Sequence, residues 1–486
     1  MKKTQSLKLN FVMNAILTMS SMVFPLITFR YVSQILMPEG TGKVSFAISL
    51  ITYFNLFAQL GIPTYGIRAC AMVRDNREAL TRTAHELLCI NLIMSAFSYL
   101  ALALALLFVP SLQTDRALYV VVSSTILLSA IGMEWLYKAL EQYTYITLCS
   151  IACKLIALVA MFLLIRQKDD YVIYGGISVF ASYAACLVNF LHARRYIGIR
   201  PVGGYRLKRH MKAVLVFFAM SCATTVYTNL NAVMLGMMAT KTDVGYYDAA
   251  AKVKNILVSV VTSLGTVLLP RVSYYIEQKM YREFKRISGK AMHFVFLIAL
   301  PLMLFFMLFA NQSISFLTGG QAYAPAVLPM QIIMPTLLFI GLSNILGIQV
   351  LVPLGRERVV LYSEIAGAVA DLIFNIILIP RFAAVGAAIG TVAAELVVLL
   401  VQCLALREEV PYLFRQVQYG KVLAGLAAAG LAAVGVLSLH LSNLQTLILG
   451  ACAFFGGYGA VLLLTKESFV IELCSQIYNK AVKRRR

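Results

Sequence analysis

The feature that most constrains this chain is a succession of apolar runs, each about 20 residues or longer, joined by short polar connections. A run of that length fits a helix crossing about 30 Å of hydrocarbon at 1.5 Å per residue. Of the 486 residues, 60% are hydrophobic and 13% charged, which points to a polytopic membrane protein instead of a soluble one. The runs predict helices near 9–36, 42–67, 84–109, 116–138, 143–166, 171–192, 212–239, 245–270, 290–310, 325–353, 359–380, 383–406, 420–440 and 444–465. The expected class is therefore all-α, with about fourteen transmembrane helices and both termini on one side. The opening Met1-Lys2-Lys3 leads straight into the first run, so an uncleaved first helix is expected.

The formal net charge of +21 suggests nucleic acid until its placement is considered. Basic residues collect in alternate connections: Arg68 to Arg82, Arg194 to Lys212, Arg271 to Lys290, Arg356 and Arg358, and Arg407 to Lys421, with a basic tail from Lys480 to Arg486. The opposite connections hold only isolated cases such as Arg116, Lys168, Lys241 and Arg381. That alternation matches fourteen spans with cytoplasmic termini, because a missed helix would exchange inside and outside for every later loop.

The connection at 193–211 is the most basic and contains Pro201-Val202-Gly203-Gly204, with the linker itself at 196–211. It reads as a cytoplasmic linker between a lobe at 1–195 and a lobe at 212–410, each of six helices around a central cavity. Residues 411–486 supply two further helices outside the repeat and the basic tail. Gly42 with Gly245, Pro63 with Pro270 and Gly175 with Gly386 are weak echoes at nearly constant separation. They suggest parallel repeats about an axis normal to the membrane.

Several spans carry charges that are costly in lipid, and such residues mark sites by default. Arg30, Lys154, Lys252 and Lys254 are cationic; Glu134, Glu364, Asp371 and Glu395 are acidic. Snorkelling to an interface or a structural ion pair is the competing account, strongest for Glu134 and Glu364 near the inner surface. Lys252 and Lys254 are two apart and cannot share one helix face. Arginine and lysine from both lobes suit a multiply charged anion such as a pyrophosphate. Asp371 and Glu395, with Glu134, are the candidates for coupling transport to an ion. No phosphate-binding glycine loop or nucleophile elbow is present, and neither the five His nor the nine Cys show metal-ligand spacing. Neither an enzyme, a metal site nor a cofactor is expected.

Several strings carry a family resemblance. Phe24-Pro25-Leu26-Ile27-Thr28-Phe29, Pro38-Glu39-Gly40-Thr41-Gly42 and Gly61-Ile62-Pro63-Thr64-Tyr65-Gly66-Ile67-Arg68 resemble the first hairpin of Wzx-type polysaccharide flippases. So do Tyr145-Ile146-Thr147 with Lys154, Tyr227-Thr228-Asn229-Leu230, Leu268-Leu269-Pro270-Arg271, and Gly386-Ala387-Ala388-Ile389-Gly390-Thr391 with Glu395. The resemblance runs from the first helix to about residue 406. It implies the multidrug, oligosaccharidyl-lipid and polysaccharide exporter superfamily and a bacterial cytoplasmic membrane. The implied substrate is an undecaprenyl-pyrophosphate-linked oligosaccharide repeat unit, moved to the outer leaflet by alternating access. A polysaccharide polymerase and assembly proteins are the implied partners. Arg68 and Arg271 match family positions and join the substrate-binding candidates, whereas Arg30, Gln34, Cys149 and Asn231 depart from the family's charge pattern. A small-molecule or drug antiporter of the same superfamily is the main alternative, and a membrane glycan enzyme a third.

Overall fold

A computed structural model describes residues 7–198, 200, 202–439 and 441–471. Met1-Lys2-Lys3, Pro201 and the basic tail lie outside them, as do the side chains of Lys8, Tyr227 and Pro270. All regular structure among the described residues is helical: α1 (Leu7–Gln59), α2 (Ile62–Ala71), α3 (Arg77–Phe108), α4 (Arg116–Ile131), α5 (Glu134–Ala139), α6 (Tyr143–Leu164), α7 (Tyr171–Ala193), α8 (Lys208–Met238) and α9 (Lys241–Glu277). They continue as α10 (Tyr281–Leu308), α11 (Ala310–Thr318), α12 (Val327–Ile333), α13 (Thr336–Asn344), α14 (Glu357–Ala405), α15 (Val410–Arg415), α16 (Tyr419–Leu437) and α17 (Asn443–Leu464).

Among these residues nine helices are long and apolar enough to span a membrane, or ten if Gln321–Ile333 and Thr336–Leu351, bent by 43°, form one broken span. Two of the nine are hairpins in disguise. α1 breaks at Met37 (φ 59°) and α14 at Ala383 (φ 47°), so each holds two of the predicted spans around a single non-helical residue. Neither break falls on a glycine, although a positive φ usually selects one. The remaining predicted spans, near 212–239 and 245–270, lie in α8 and α9, whose charges gather toward their first turns: Lys208, Arg209 and Lys212 in α8, and Lys241, Asp243, Asp248, Lys252 and Lys254 in α9. The chain is an all-α, multi-pass membrane protein.

The packing forms two compact units, Met1–Asp248 and Ala249–Arg486. In the first, the early half of α1 lies on α6 and α7, where Val32, Leu36, Ala157, Met161 and Ile165 are buried together. The later half of α1 packs on α3, α4 and α8. Gly42 and Gly245, read in sequence as a repeat echo, touch each other: a Cβ on Gly42 would lie 1.7 Å from the Lys241 carbonyl oxygen, and one on Gly245 2.1 Å from that of Pro38. Without side chains there, the backbones approach as small residues allow between membrane helices. Lys241 closes the seam, its Nζ donating to the Gly236 carbonyl at 2.6 Å and lying 3.1 Å from the centre of the Phe46 ring.

The connection between α7 and α8 is pinned to α3. Thr81 accepts from the Gly198 N–H at 3.0 Å, and a His85 ring nitrogen lies 2.9 Å from the Gly198 carbonyl. Glu86, fully buried, accepts the Arg206 N–H at 2.7 Å and meets Arg209 and His210. His210 in turn meets the Tyr65 hydroxyl at 2.7 Å. A carboxylate is tolerated in this interior because backbone and side-chain donors surround it.

In the second unit, α14 folds on itself about Ala383. Gln402 donates to Ser363 at 3.1 Å. A Cβ on Gly390 would meet Asn375, and one on Gly386 the backbone of Leu378 and Ile379. These pairs are symmetric about the break, so they fix one antiparallel register. α16 and α17 pack on each other and on α10 and α11, with Phe305, Phe309 and Phe454 interleaved and the Tyr458 hydroxyl donating to the Leu297 carbonyl at 3.0 Å.

Candidate functional site

The first unit encloses a polar cavity of about 400 Å³ between the start of α1 and helices α5, α6 and α7. Asn14, Leu17, Thr18, Ser21 and Pro25 line it, spaced three and four apart so that they share one face of α1. Lys154 enters from α6 and is 9% exposed. Its Nζ donates to Ser20 Oγ at 2.9 Å and Ser21 Oγ at 2.8 Å. Both serine hydroxyls donate their own protons to the Leu17 carbonyl, at 2.8 and 3.0 Å, so their lone pairs face the ammonium. An ammonium has three N–H donors, and two are thereby used.

Glu134 and Lys138 stand at the same cavity, paired at 2.9 Å one turn apart on α5, with Asn189 beside them. Among Lys154, Lys138 and Glu134 one positive charge is left over, in surroundings that are otherwise neutral. The arrangement can hold a hydrogen-bond acceptor carrying negative charge.

The other sequence candidates lie elsewhere. Arg30 is exposed on α1, nine to ten residues past the serines, roughly 14 Å along the helix. It does not line the Lys154 cavity, and it projects away from the face that packs on α6 and α7. Arg68 lies in the last turn of α2, close to Tyr65 and the pinned connection, where a cation also complements the helix dipole. In the second unit Lys254 lies within electrostatic reach of Glu395 and Asp371, both buried in α14. Asp371 shares its helix face with Asn375, opposite Gly390. Lys252, two residues away, projects from a different face. Arg271 is 17 residues beyond Lys254 on the unbroken α9, roughly 25 Å away, and lines a separate cavity with Arg286 and Lys290.

Sequence reading missed Ser20, Ser21, Lys138 and Asn189. A signal existed for the serines, since Asn14, Thr18 and Ser21 form a polar stripe at helical spacing inside an apolar run. It missed Glu86 and Asn375 as well, because their importance lies in partners more than a hundred residues away or across a hairpin.

A family model described as "Polysaccharide biosynthesis protein" matches residues 7–276, more than half of the sequence. The chain belongs to the polysaccharide biosynthesis protein family. A second model, MatE, matches residues 217–377. A protein named "Putative O-antigen transporter" from Escherichia coli K12 is 24% identical over 396 residues, covering 81% of this chain and 95% of the relative. Its namesake from Shigella dysenteriae is 23% identical over 389 residues, 78% of this chain and 94% of the relative. Among solved structures, lipid II flippase MurJ in an inward closed conformation aligns with a TM-score of 0.64 at 14% identity, over 93% of this chain and 99% of the other. An inward-facing multidrug resistance transporter of the MATE family aligns with a TM-score of 0.66 at 15% identity, over 84% and 99%. The structural likeness is one of fold. The resemblance to Wzx-type flippases is thereby borne out: this is a Wzx-type member of the multidrug, oligosaccharidyl-lipid and polysaccharide exporter superfamily, a transporter and not an enzyme.

Proposed function

We propose that this family member is a flippase that carries an undecaprenyl-pyrophosphate-linked oligosaccharide repeat unit from the cytoplasmic to the outer leaflet of a bacterial inner membrane by alternating access. The observation that carries this reading is Lys154: a nearly buried ammonium, held by two serine oxygens, with one N–H left for an anionic ligand in a polar cavity. The names of the O-antigen transporter relatives and of the lipid II flippase support a lipid-linked substrate.

In this reading the pyrophosphate is held by Lys154, with Arg30, Lys252 and Lys254 as further cations. Arg30 suits such a role because it lies on a face of α1 that α6 and α7 leave open. Arg68 and Arg271 stay at helix ends, where they meet the anionic head group first. The lobes at 1–195 and 212–410, joined by the linker at 196–211, are the moving bodies, and 411–486 stands outside them. Both termini lie in the cytoplasm, and a polysaccharide polymerase acts on the product. Binding drives the change of state only to the extent that the ligand prefers one state.

Asp371 and Glu395 beside Lys254 favour ion coupling, with Glu134 at the Lys154 cavity as a further carboxylate. Loss of a proton or cation there changes the balance of charge in a buried cluster. The same cluster supports the second reading, a small-molecule or drug antiporter, since buried carboxylates suit cationic substrates.

The test uses cells producing Lys154→Ala, Lys252→Ala and the double variant at normal protein level. The double variant is expected to lower surface display of the lipid-linked glycan at least tenfold. Unchanged export would end the lysine-based flippase mechanism, and efflux of a cationic drug without lipid-linked glycan would select the antiporter.

A further inference from the structure

The cavity at the far end of α9 has no part in the transport reading beyond Arg271, yet it is a built site. Arg271 comes from the last two turns of α9, and Arg286 and Lys290 from one face of α10, four residues apart. They surround about 340 Å³ of space. Neither Arg271 nor Arg286 has a carboxylate within ion-pair distance among the described residues. At this cavity three cations converge on one space.

Apolar side chains complete the lining: Leu268 and Ile287 beside the cations on the same two helices, and Phe469 from the segment after α17. Phe469 is held in place through its neighbour Glu467. That carboxylate, fully buried, accepts the Phe469 N–H at 2.9 Å and the Val470 N–H at 2.8 Å, and pairs with His293 of α10 at 2.8 Å. The Phe469 ring packs on Phe294, centroids 5.5 Å apart. A free anion in water needs the cations and not the apolar lining. An amphiphile with a phosphate head uses both.

We propose that this cavity binds the phosphate group of a membrane lipid, with the guanidinium groups of Arg271 and Arg286 on the phosphate oxygens, Lys290 as a third charge, and the lipid's apolar part along Phe469. Arginine forks match phosphate oxygens in pairs. The site stands roughly 25 Å along α9 from Lys254, apart from the cluster of Lys254, Asp371 and Glu395.

The test places the full-length protein in phosphatidylcholine nanodiscs and titrates a fluorescent phosphatidic acid. Saturable binding is expected, weakened at least tenfold in Arg271→Gln/Arg286→Gln. Binding within twofold of the wild type in that variant would overturn the proposal. So would displacement of the lipid by inorganic phosphate at equal concentration, which would make this a site for soluble anions. Undecaprenyl phosphate as competitor separates the two lipid sources: displacement assigns the site to the prenyl phosphate, and no displacement assigns it to phospholipid. Should the double variant fold poorly, the exposed Arg286 decides alone. Arg286→Gln is then expected to lose at least threefold and Arg286→Lys less than that, and equal binding by Arg286→Gln and the wild type would sink the site.

Discussion

Glu467 shows how one residue can fix the segment that follows α17 to a neighbouring helix. Burial pushes its carboxyl toward the neutral form, but the Phe469 and Val470 N–H donors and His293 outweigh burial, and the group titrates below the ordinary carboxylate range. The sign follows from that depression: the ionised form is favoured by folding, so its stabilisation is present above about pH 4.3 and is lost as the pH falls through the lower folded value. Glu467→Ala is expected to cost roughly 2–4 kcal/mol near neutral pH, since buried donors lose their acceptor. Thermal unfolding in detergent should show the gap between variant and wild type narrowing below about pH 4. A gap that stays constant as the medium is taken from neutral to well into the acid range would refute the assignment. The residues legible in sequence were those whose anomaly is local: Lys154 and Asp371 are charges inside apolar runs. Glu467 and Glu86 looked ordinary, because each takes its meaning from a distant histidine and from backbone donors.

At the scale of an element, the α14 hairpin rests on two glycines that are not equivalent. A methyl group on Gly386 would collide with the Leu378 carbonyl oxygen at 2.5 Å, a backbone atom that cannot rotate away. On Gly390 it would meet the Asn375 amide oxygen at 2.4 Å, the end of a side chain that can turn. Gly386→Ala is therefore expected to lose roughly 2–3 kcal/mol and Gly390→Ala about 1. Equal losses in a thermal unfolding series would disprove the register. Turning Asn375 also disturbs its neighbour Asp371, so Gly390→Ala should lower transport more than its stability implies. The fourteen helices were readable because length and apolarity are local properties of the chain. The turn at Met37 was hidden inside the expected loop at 36–42, and the one at Ala383 has no glycine to announce it. The connection at 196–211 was read as a linker from its charge and its Pro-Gly composition. The contacts of Thr81, His85 and Glu86 with it come from a helix more than a hundred residues earlier, which no local pattern encodes.

For the whole molecule, the division at Asp248 has a bearing on how the chain is made. The first compact unit includes α8 and the opening turns of α9, and within it the backbones of Gly42 and Gly245 pack directly on each other. A fragment of residues 1–248 is expected to resist protease in membranes better than 1–195, which lacks the helix that packs on the later half of α1. Equal digestion would contradict that division. During synthesis, then, an early half-hairpin waits through some two hundred residues for its partner. The nascent first unit stays unsealed at Gly42 until the ribosome has passed Gly245, and a pause or frameshift before that codon leaves in the bilayer a set of helices whose last stitch never arrives.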